Sequence, residues 1–375
     1  MGYKNITGKI QFDFQINRVL TYGKLACDEA EVLEVAKGIS GLSSWFPAWY
    51  SLGVKAEAEN RFLHAAYYFR LAEFFLSEKN KDKISTYNRC IENYKEVLSK
   101  DKSVEEVGVP YARTTMKTLI FTPEIEIGVI VMFGGYDSFV EEFYLAVKSI
   151  VKKGYKVILF EGPGQGQTLK NGLVFEPYWE LPLGAILDFF DLKKVTVLGV
   201  SWGGYFALRS AAFEKRIERV IAYNILYDGF DCMTNFLLQP AKFIIHLLFK
   251  AKQSRITNKL LRAAMKKNAL ADWAITHGQY ITGTTNPYEF YNNLKKHSLK
   301  GITQNIQCDV LLLAGEKDHY IPRSHYDILM KKITDARSLE GRIFTTQEGG
   351  EQHCQVGNHQ LALNYITDWI KKINS

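Results

Sequence analysis

The chain has 375 residues, of which 47% are hydrophobic and 23% are charged, a composition typical of a globular protein with one large domain plus additions, or with two domains. The net charge is +7, but no basic run is long enough to indicate nucleic-acid binding. The five cysteines lack metal-ligand spacing, the N-terminus has no apolar signal core, and no apolar run could span a bilayer. We therefore expect a reduced, cytoplasmic protein without a nucleic-acid or membrane partner.

The first part of the chain is predicted to be helical. Apolar residues recur at three- and four-residue steps over 55–77 and 83–99, which predicts two helices. The aromatic cluster at 45–50 is interpreted as a connector that packs against the next domain, rather than as a substrate contact. We predict an N-terminal helical domain over 1–105.

The rest of the chain alternates strands with helices. The strands are predicted over 111–121, 128–133, 155–160, 195–200, 219–224, 310–314 and 342–346, and a helix closes the chain over 361–373. This alternation predicts an α/β fold with a mostly parallel sheet and helices on both faces. We assign the core to 106–225 and 306–375, and interpret 226–305 as a helical lid insertion.

The pentapeptide at 199–203 reads Gly-Val-Ser-Trp-Gly and joins a predicted strand to a predicted helix. This is the G-x-S-x-G pattern in its required context, a sharp turn that exposes a serine at the end of a strand. The turn is so tight that side chains at Gly199 and Gly203 would collide with neighbouring backbone. The pattern therefore predicts Ser201 as a nucleophile.

A serine hydroxyl needs a base within hydrogen-bond reach and an acid that orients the base. Strand 310–314 runs into Asp318, and strand 342–346 runs into a loop that holds His353, so all three residues follow strands whose carboxyl ends share one edge of a parallel sheet. Glu316 is an alternative acid and His359 an alternative base. The order serine, acid, histidine is that of α/β-hydrolases.

Acyl transfer also needs donors for the oxyanion. We expect one to be the backbone N–H of Trp202 and the other to be that of Gly135 or Tyr136, with Tyr136 favoured. Asp137 could touch the chemistry, although capping or bracing is the favoured interpretation. Asp228 could deliver a proton, although a hinge role for the lid is favoured. The sequence has no HExxH motif and no cysteine–histidine cluster, so neither a metal nor a cofactor is predicted.

Several motifs together resemble one known group. They are Gly-Gly-Tyr-Asp-Ser-Phe-Val-Glu-Glu at 134–142, Glu-Gly-Pro-Gly-Gln-Gly at 161–166, Gly-Val-Ser-Trp-Gly-Gly at 199–204, Gly-Glu-Lys-Asp at 315–318 and His-Cys-Gln-Val-Gly-Asn at 353–358. The chain resembles the FrsA-like α/β-hydrolases, which include dihydroxypseudooxynicotine hydrolases and polyketide-shortening hydrolases of the heptaketide hydrolyase type. The resemblance implies a catalytic triad of Ser201, Asp318 and His353 under a helical domain, and a homodimer formed through that domain.

These observations predict a cofactor-free serine hydrolase that acts on a small or medium, largely apolar carbonyl compound. The bond cleaved is an ester or a C–C bond beside a ketone, since the family includes both activities. Two alternatives stay open: an acyltransferase or cyclase with the same triad, and a non-catalytic binding or regulatory protein with this fold.

Overall fold

The computed structural model describes residues 2–374; Met1 and Ser375, the outer ends of the predicted domains, lie outside the described residues. Its centre is an eight-stranded sheet with the order β1-β2-β4-β3-β5-β6-β7-β8. The strands are β1 Val104–Tyr111, β2 Thr114–Phe121, β3 Gly128–Phe133, β4 Tyr155–Phe160, β5 Val195–Val200, β6 Ile217–Tyr223, β7 Asp309–Gly315 and β8 Ser338–Phe344. Neighbours from β4 to β8 in this order pair in parallel, whereas β1 and β2 are antiparallel.

The middle strands explain why helices cover both faces of the sheet. Every residue of β5 and of β7 is buried, so both faces of these strands need an apolar layer. The helices outside the N-terminal region are α6 Tyr144–Val151, α7 Gly166–Lys170, α8 Glu180–Phe189, α9 Gly203–Phe213, α10 Gly229–Thr234, α11 Gln239–Lys250, α12 Ser254–Lys267, α13 Ala269–Thr282, α14 Pro287–Leu294, α15 Ser324–Lys332 and α16 His359–Asn374. Helices α10 to α14 form one insertion between β6 and β7.

The start of the sheet differs from the sequence prediction. A single strand was expected over 111–121, but the structure has a hairpin, β1 and β2, that turns at Ala112 with a φ of 51°. The sequence pattern does not indicate β1, because β1 is an edge strand whose exposed residues Glu105 and Glu106 interrupt any apolar pattern.

The N-terminal region is a helical bundle with its own core. Its helices are α1 Ile10–Leu20, α2 Glu29–Lys37, α3 Leu42–Ala58, α4 Phe62–Phe74 and α5 Lys83–Leu98. The prediction of an aromatic connector at 45–50 is wrong, because these residues belong to α3. Pro47 and the run of aromatic residues mask the helical period, yet Trp45 and Trp49 are four residues apart and are both buried in the bundle core.

The bundle and the inserted helices meet over the carboxyl edge of the sheet. The indole Nε1 of Trp273, on α13, donates a hydrogen bond to the carbonyl oxygen of Phe74, on α4, at 3.0 Å. The edge at which the parallel strands end is therefore covered from two sides. Within residues 2–374, no helix is both long and apolar enough to traverse a bilayer.

Candidate active site

Ser201 lies at the sharp turn between β5 and α9. Its φ is 62°, a left-handed conformation that non-glycine residues rarely adopt. The glycines of the motif make this turn possible, since a Cβ at Gly199 would lie 1.9 Å from the carbonyl oxygen of Gly203. The N–H of Ser201 donates to the carbonyl oxygen of Tyr223 at 2.7 Å, which fixes the turn against the end of β6.

The structure brings the three predicted residues into one hydrogen-bonded chain. The Ser201 Oγ lies 2.8 Å from His353 Nε2, and His353 Nδ1 lies 2.8 Å from Asp318 Oδ2. His353 and the Asp318 side chain are buried, and they follow β8 and β7 respectively. This is the order hydroxyl, imidazole, carboxylate that activates a serine.

Both oxygens of the Asp318 carboxylate accept hydrogen bonds. Its Oδ1 accepts hydrogen bonds from the backbone N–H groups of Tyr320 at 2.8 Å and Ile321 at 3.0 Å, and its Oδ2 accepts one from Asn224 Nδ2. Burial raises the pKa of Asp318, but the charge of His353, the hydrogen bond with its ring and the two backbone N–H donors outweigh burial and hold this pKa below its usual value. Asp318 is therefore built to stay ionised.

Asn224 is a site residue that the sequence did not reveal. It follows β6 directly, is fully buried, and its Nδ2 lies 3.1 Å from His353 Nδ1 as well as beside Asp318. Its own Oδ1 accepts from the N–H of Ile225 at 2.9 Å, which orients the amide with its nitrogen toward the acid. An asparagine after a strand carries no distinctive signal in sequence.

The imidazole of His353 is under two opposing influences. Burial lowers its pKa, but the adjacent Asp318 carboxylate more than offsets burial and raises the pKa of His353 well above its usual value. The ring therefore gains basicity from Asp318 while its Nε2 faces the hydroxyl of Ser201.

The alternative acid, Glu316, and the alternative base, His359, are not part of this hydrogen-bonded chain, although His359 lines the same cavity. The carboxylate of Glu316 accepts from the N–H of Thr346 at 3.0 Å in an exposed loop. The ring of His359 packs edge-on against Tyr22, with ring centroids 5.2 Å apart, and burial lowers its pKa to about 3. Among the described residues, neither Glu316 nor His359 forms a side-chain hydrogen bond with Ser201, His353 or Asp318.

The loop after β3 approaches the serine turn closely enough to supply an oxyanion donor. A Cβ at Gly135 would lie 2.7 Å from the backbone nitrogen of Trp202, so only glycine allows this contact. The N–H of Gly135 is already engaged, since it donates to Ser138 Oγ at 2.7 Å. Within residues 2–374, the N–H groups of Tyr136 and Trp202 have no acceptor, which leaves both available for an oxyanion.

Gln165, in the Glu-Gly-Pro-Gly-Gln-Gly motif, orients this loop. Its Nε2 donates to the carbonyl oxygens of Gly134 and Gly135, both at 2.9 Å, and its Oε1 accepts from the N–H of Gly162 at 3.0 Å. The carbonyl of Gly135 and the N–H of Tyr136 belong to one planar trans peptide and point in opposite directions. Because Gln165 holds that carbonyl oxygen, the Tyr136 N–H points away from the Gln165 side chain.

The buried carboxylate of Glu161 fixes the segment that follows the loop after β3. Glu161, from the same motif as Gln165, accepts hydrogen bonds from the N–H groups of Val140 at 3.1 Å and Gln167 at 2.6 Å. Burial and the neighbouring Glu141 carboxylate raise the pKa of Glu161 to about 7. The motif thus ties two turns together beside the site.

The two possible auxiliary acids have structural partners. The Asp137 carboxylate lies 3.9 Å from the guanidinium of Arg18 at the cavity edge. Asp228 caps α10, where it accepts from the N–H of Asp231 at 2.8 Å and from Ser298 Oγ at 3.0 Å. Asp228 does not line the cavity beside Ser201, so the structure does not bring it to the nucleophile.

A cavity of about 500 Å³ lies over Ser201 and His353. Its walls come from α1 and α4 of the bundle, from the inserted helices and from the loops that hold the site, and they are mostly apolar. Aromatic side chains are prominent among them: Phe14, Phe74, Tyr136, Trp202, Trp273 and Tyr320. A volume of this size suits a small or medium organic molecule. In the part of the chain that the structure describes, no three His, Cys, Asp or Glu side chains lie together so that they could hold a metal ion.

The chain is similar over nearly its whole length to fungal hydrolases. Hydrolase LUC6 of a Fusarium species is 27% identical over 402 residues, covering 96% of this chain and 95% of that protein. The 20-hydroxy-prefusarin hydrolase FUS2 of Gibberella moniliformis is 26% identical over 404 residues, with the same coverage. No family model matches the chain.

Solved structures show the fold. The crystal structure of 2,6-dihydroxy-pseudo-oxynicotine hydrolase superposes with a TM-score of 0.71 and 17% identity, covering 94% of each chain. The chain therefore has the α/β-hydrolase fold, and its similarity to named hydrolases identifies it as a hydrolase. The resemblance predicted from the motifs is confirmed.

We predict that Gln165→Met lowers kcat about 10- to 100-fold with little change in KM, because the Tyr136 N–H loses its fixed direction while the cavity is unaltered. Steady-state kinetics on a soluble aryl ester measure both constants. Gln167→Met is the matched control, since Gln167 is exposed and bonds only Asn171 with its side-chain nitrogen. Equal losses in the two variants, or a loss confined to KM, would contradict the orienting role.

Proposed function

We propose that this α/β-hydrolase is a serine hydrolase that works through an acyl-enzyme on Ser201. The observation that carries the proposal is the unbroken chain from Ser201 Oγ through His353 to Asp318, with 2.8 Å at each link, at the floor of an apolar cavity. The named relatives support the class of reaction, since they are hydrolases.

In the first half of the reaction, Ser201 Oγ attacks the substrate carbonyl carbon while His353 Nε2 takes the hydroxyl proton. The ionised Asp318 stabilises the imidazolium that forms. The N–H groups of Tyr136 and Trp202 donate to the oxyanion as the tetrahedral intermediate develops. Collapse of the intermediate expels the leaving group, which receives the proton from His353.

In the second half, water attacks the acyl-enzyme with His353 again as the base, and Ser201 is released with a carboxylic acid product. The same reaction steps apply to an ester, whose leaving group is an alkoxide, and to a C–C bond beside a ketone, whose leaving group is a stabilised carbanion. Because Asp228 lies away from the cavity, the proton for a carbanion is the one that His353 took from Ser201.

The cavity supports a largely apolar substrate of small to medium size. Its polar groups are few and most of its lining is aromatic or aliphatic, so binding comes mainly from burial of apolar surface. The relative from Gibberella moniliformis is named a 20-hydroxy-prefusarin hydrolase, which supports a small organic molecule as the class of substrate. Turnover of aryl esters compared with that of β-diketones distinguishes ester from C–C cleavage.

We predict that a fluorophosphonate forms one covalent adduct on Ser201 of the folded protein, because the hydroxyl is activated by His353. Intact mass and peptide mapping locate the adduct. Ser201→Ala should lose the label and lower kcat about 10⁶-fold. Ser210→Ala, at a buried serine outside the site, should keep the label. An unlabelled folded protein, or labelling that survives Ser201→Ala, would refute the proposal.

We predict that activity falls as the pH drops through the pKa of His353, since only the neutral imidazole accepts the Ser201 proton. Asp318 raises that pKa, so the acidic limb of kcat/KM lies above 6.5, the usual histidine value. In Asp318→Asn, burial still lowers the pKa of His353, but the carboxylate that raised this pKa is gone. The acidic limb then moves to lower pH, and kcat falls about 10⁴-fold.

The pH profile of aryl ester hydrolysis measures this shift. Glu316→Gln makes the same carboxylate-to-amide change in an exposed loop and should leave the limb in place. An acidic limb that stays at the same pH in Asp318→Asn would show that another group is the base.

A further inference from the structure

The inserted helices carry a concentrated positive charge. Between Asp231 and Asp272 the sequence has eight lysines and arginines and no aspartate or glutamate. These are Lys242, Lys250, Lys252, Arg255, Lys259, Arg262, Lys266 and Lys267. Their number exceeds the net charge of the whole chain, +7, so the excess of positive charge in this protein resides on α11, α12 and the turn between them.

Most of these cations are free of anionic partners. Lys242 pairs with Asp231 at 2.8 Å, close to the sheet. The other seven side chains are exposed and, among residues 2–374, form no ion pair. Their charges therefore add to a single positive field rather than cancelling locally.

The same helices expose large apolar side chains. Those with about half or more of their surface in solvent are Leu238, Phe243, Ile244, Leu247, Ile256 and Leu260. Residues 243, 247 and 250 share one stripe of α11, and residues 256, 260 and 267 share one stripe of α12, because positions three, four and seven apart lie on the same helix face. Each stripe thus ends in a lysine. We call these exposed residues of 238–267 the lid surface.

The buried sides of the helices face inward. Ile245 and Phe249 of α11 and Leu261 of α12 belong to the main hydrophobic core. The buried Leu261 also lines the cavity over Ser201, and so does Ala264, which is exposed and lies beside the stripe of Leu260. Helix α12 therefore contributes to the cavity as well as to the lid surface, whereas α11 packs on the core without lining the cavity.

We propose that the lid surface docks on an anionic lipid bilayer, with its apolar side chains in the headgroup region and its lysines and arginines on lipid phosphates. Amphipathic helices with large apolar residues and a basic polar face bind membrane interfaces in this way. The expectation of no membrane partner depended on the lack of a spanning segment, and peripheral docking needs none.

The charges and exposure favour lipid over two other occupants. A second copy seated symmetrically would bring two sets of unpaired cations together, which is repulsive. Leu238 and Phe243 are 82% and 66% exposed, so they protrude and offer no groove that an acidic protein could fill. Protruding apolar side chains among flexible cations suit a fluid, negatively charged surface.

Docking here would present the inserted helices to the bilayer. Helix α12 would then lie between the cavity and a lipid phase in which an apolar carbonyl substrate dissolves, a link that rests on the proposed function. The docking itself depends only on the lid surface. The Ser201→Ala variant should therefore bind vesicles as the wild type does, and failure of either proposal can be recognised separately.

Flotation of the full chain with vesicles tests the docking. We expect binding to vesicles of equal parts phosphatidylcholine and phosphatidylglycerol, no binding to phosphatidylcholine alone, and release by added salt. Lys259→Glu/Arg262→Glu/Lys266→Glu should weaken binding about 100-fold or more. Phe243→Ser/Leu247→Ser should weaken it at least about tenfold through lost apolar insertion.

Lys152→Glu/Lys153→Glu/Lys371→Glu is the matched control, since it makes the same charge change at exposed positions on α16 and just after α6. It should float as the wild type does, and thermal unfolding should show that all variants are folded. Absence of binding to anionic vesicles, or an equal loss in the control, would overturn the proposal. Self-association or capture of an acidic protein, lost in the lid variants while vesicles stay unbound, would do the same.

Discussion

The close packing of backbone around Ser201 is the constraint on which the site depends. The serine turn presses against two other segments at positions where only glycine fits. A Cβ at Gly203 would lie 2.8 Å from the carbonyl oxygen of Gly134, and one at Gly204 would lie 1.7 Å from that of Asn224. Ser201, the loop with the Tyr136 N–H and the end of β6 are thus fixed relative to one another by van der Waals contact. Any side chain at these glycines would separate them.

Two hydrogen-bond networks extend this constraint on either side of the serine. On one side, Asn224 and the N–H groups after Asp318 hold the carboxylate that is hydrogen-bonded to His353. On the other, Gln165 holds the Gly135 carbonyl and with it the peptide that carries the Tyr136 N–H. Both networks are buried, so their donors and acceptors exchange little with water and keep their directions. A pre-oriented site of this kind needs little rearrangement when charge develops.

The sequence predicts best what depends on local patterns. Ser201, Asp318 and His353 could be placed because each follows a strand with a clear apolar run, and parallel strands end at a shared edge. Gln165 and Asn224 could not, because their roles depend on partners 30 and 94 residues away along the chain. The edge strand β1 and the aromatic first half of α3 were missed because exposure in one and Pro47 in the other disturb the expected period. The homodimer and the cytoplasmic location stay predictions.

A crystal structure of the protein inactivated by a fluorophosphonate tests the proposed site most directly. We expect phosphorus bonded to Ser201 Oγ, with its oxygen within about 3 Å of both the Tyr136 and Trp202 backbone nitrogens, and His353 still hydrogen-bonded to Asp318. A phosphoryl oxygen directed away from these two N–H groups, in an otherwise unchanged site, would contradict the proposed site.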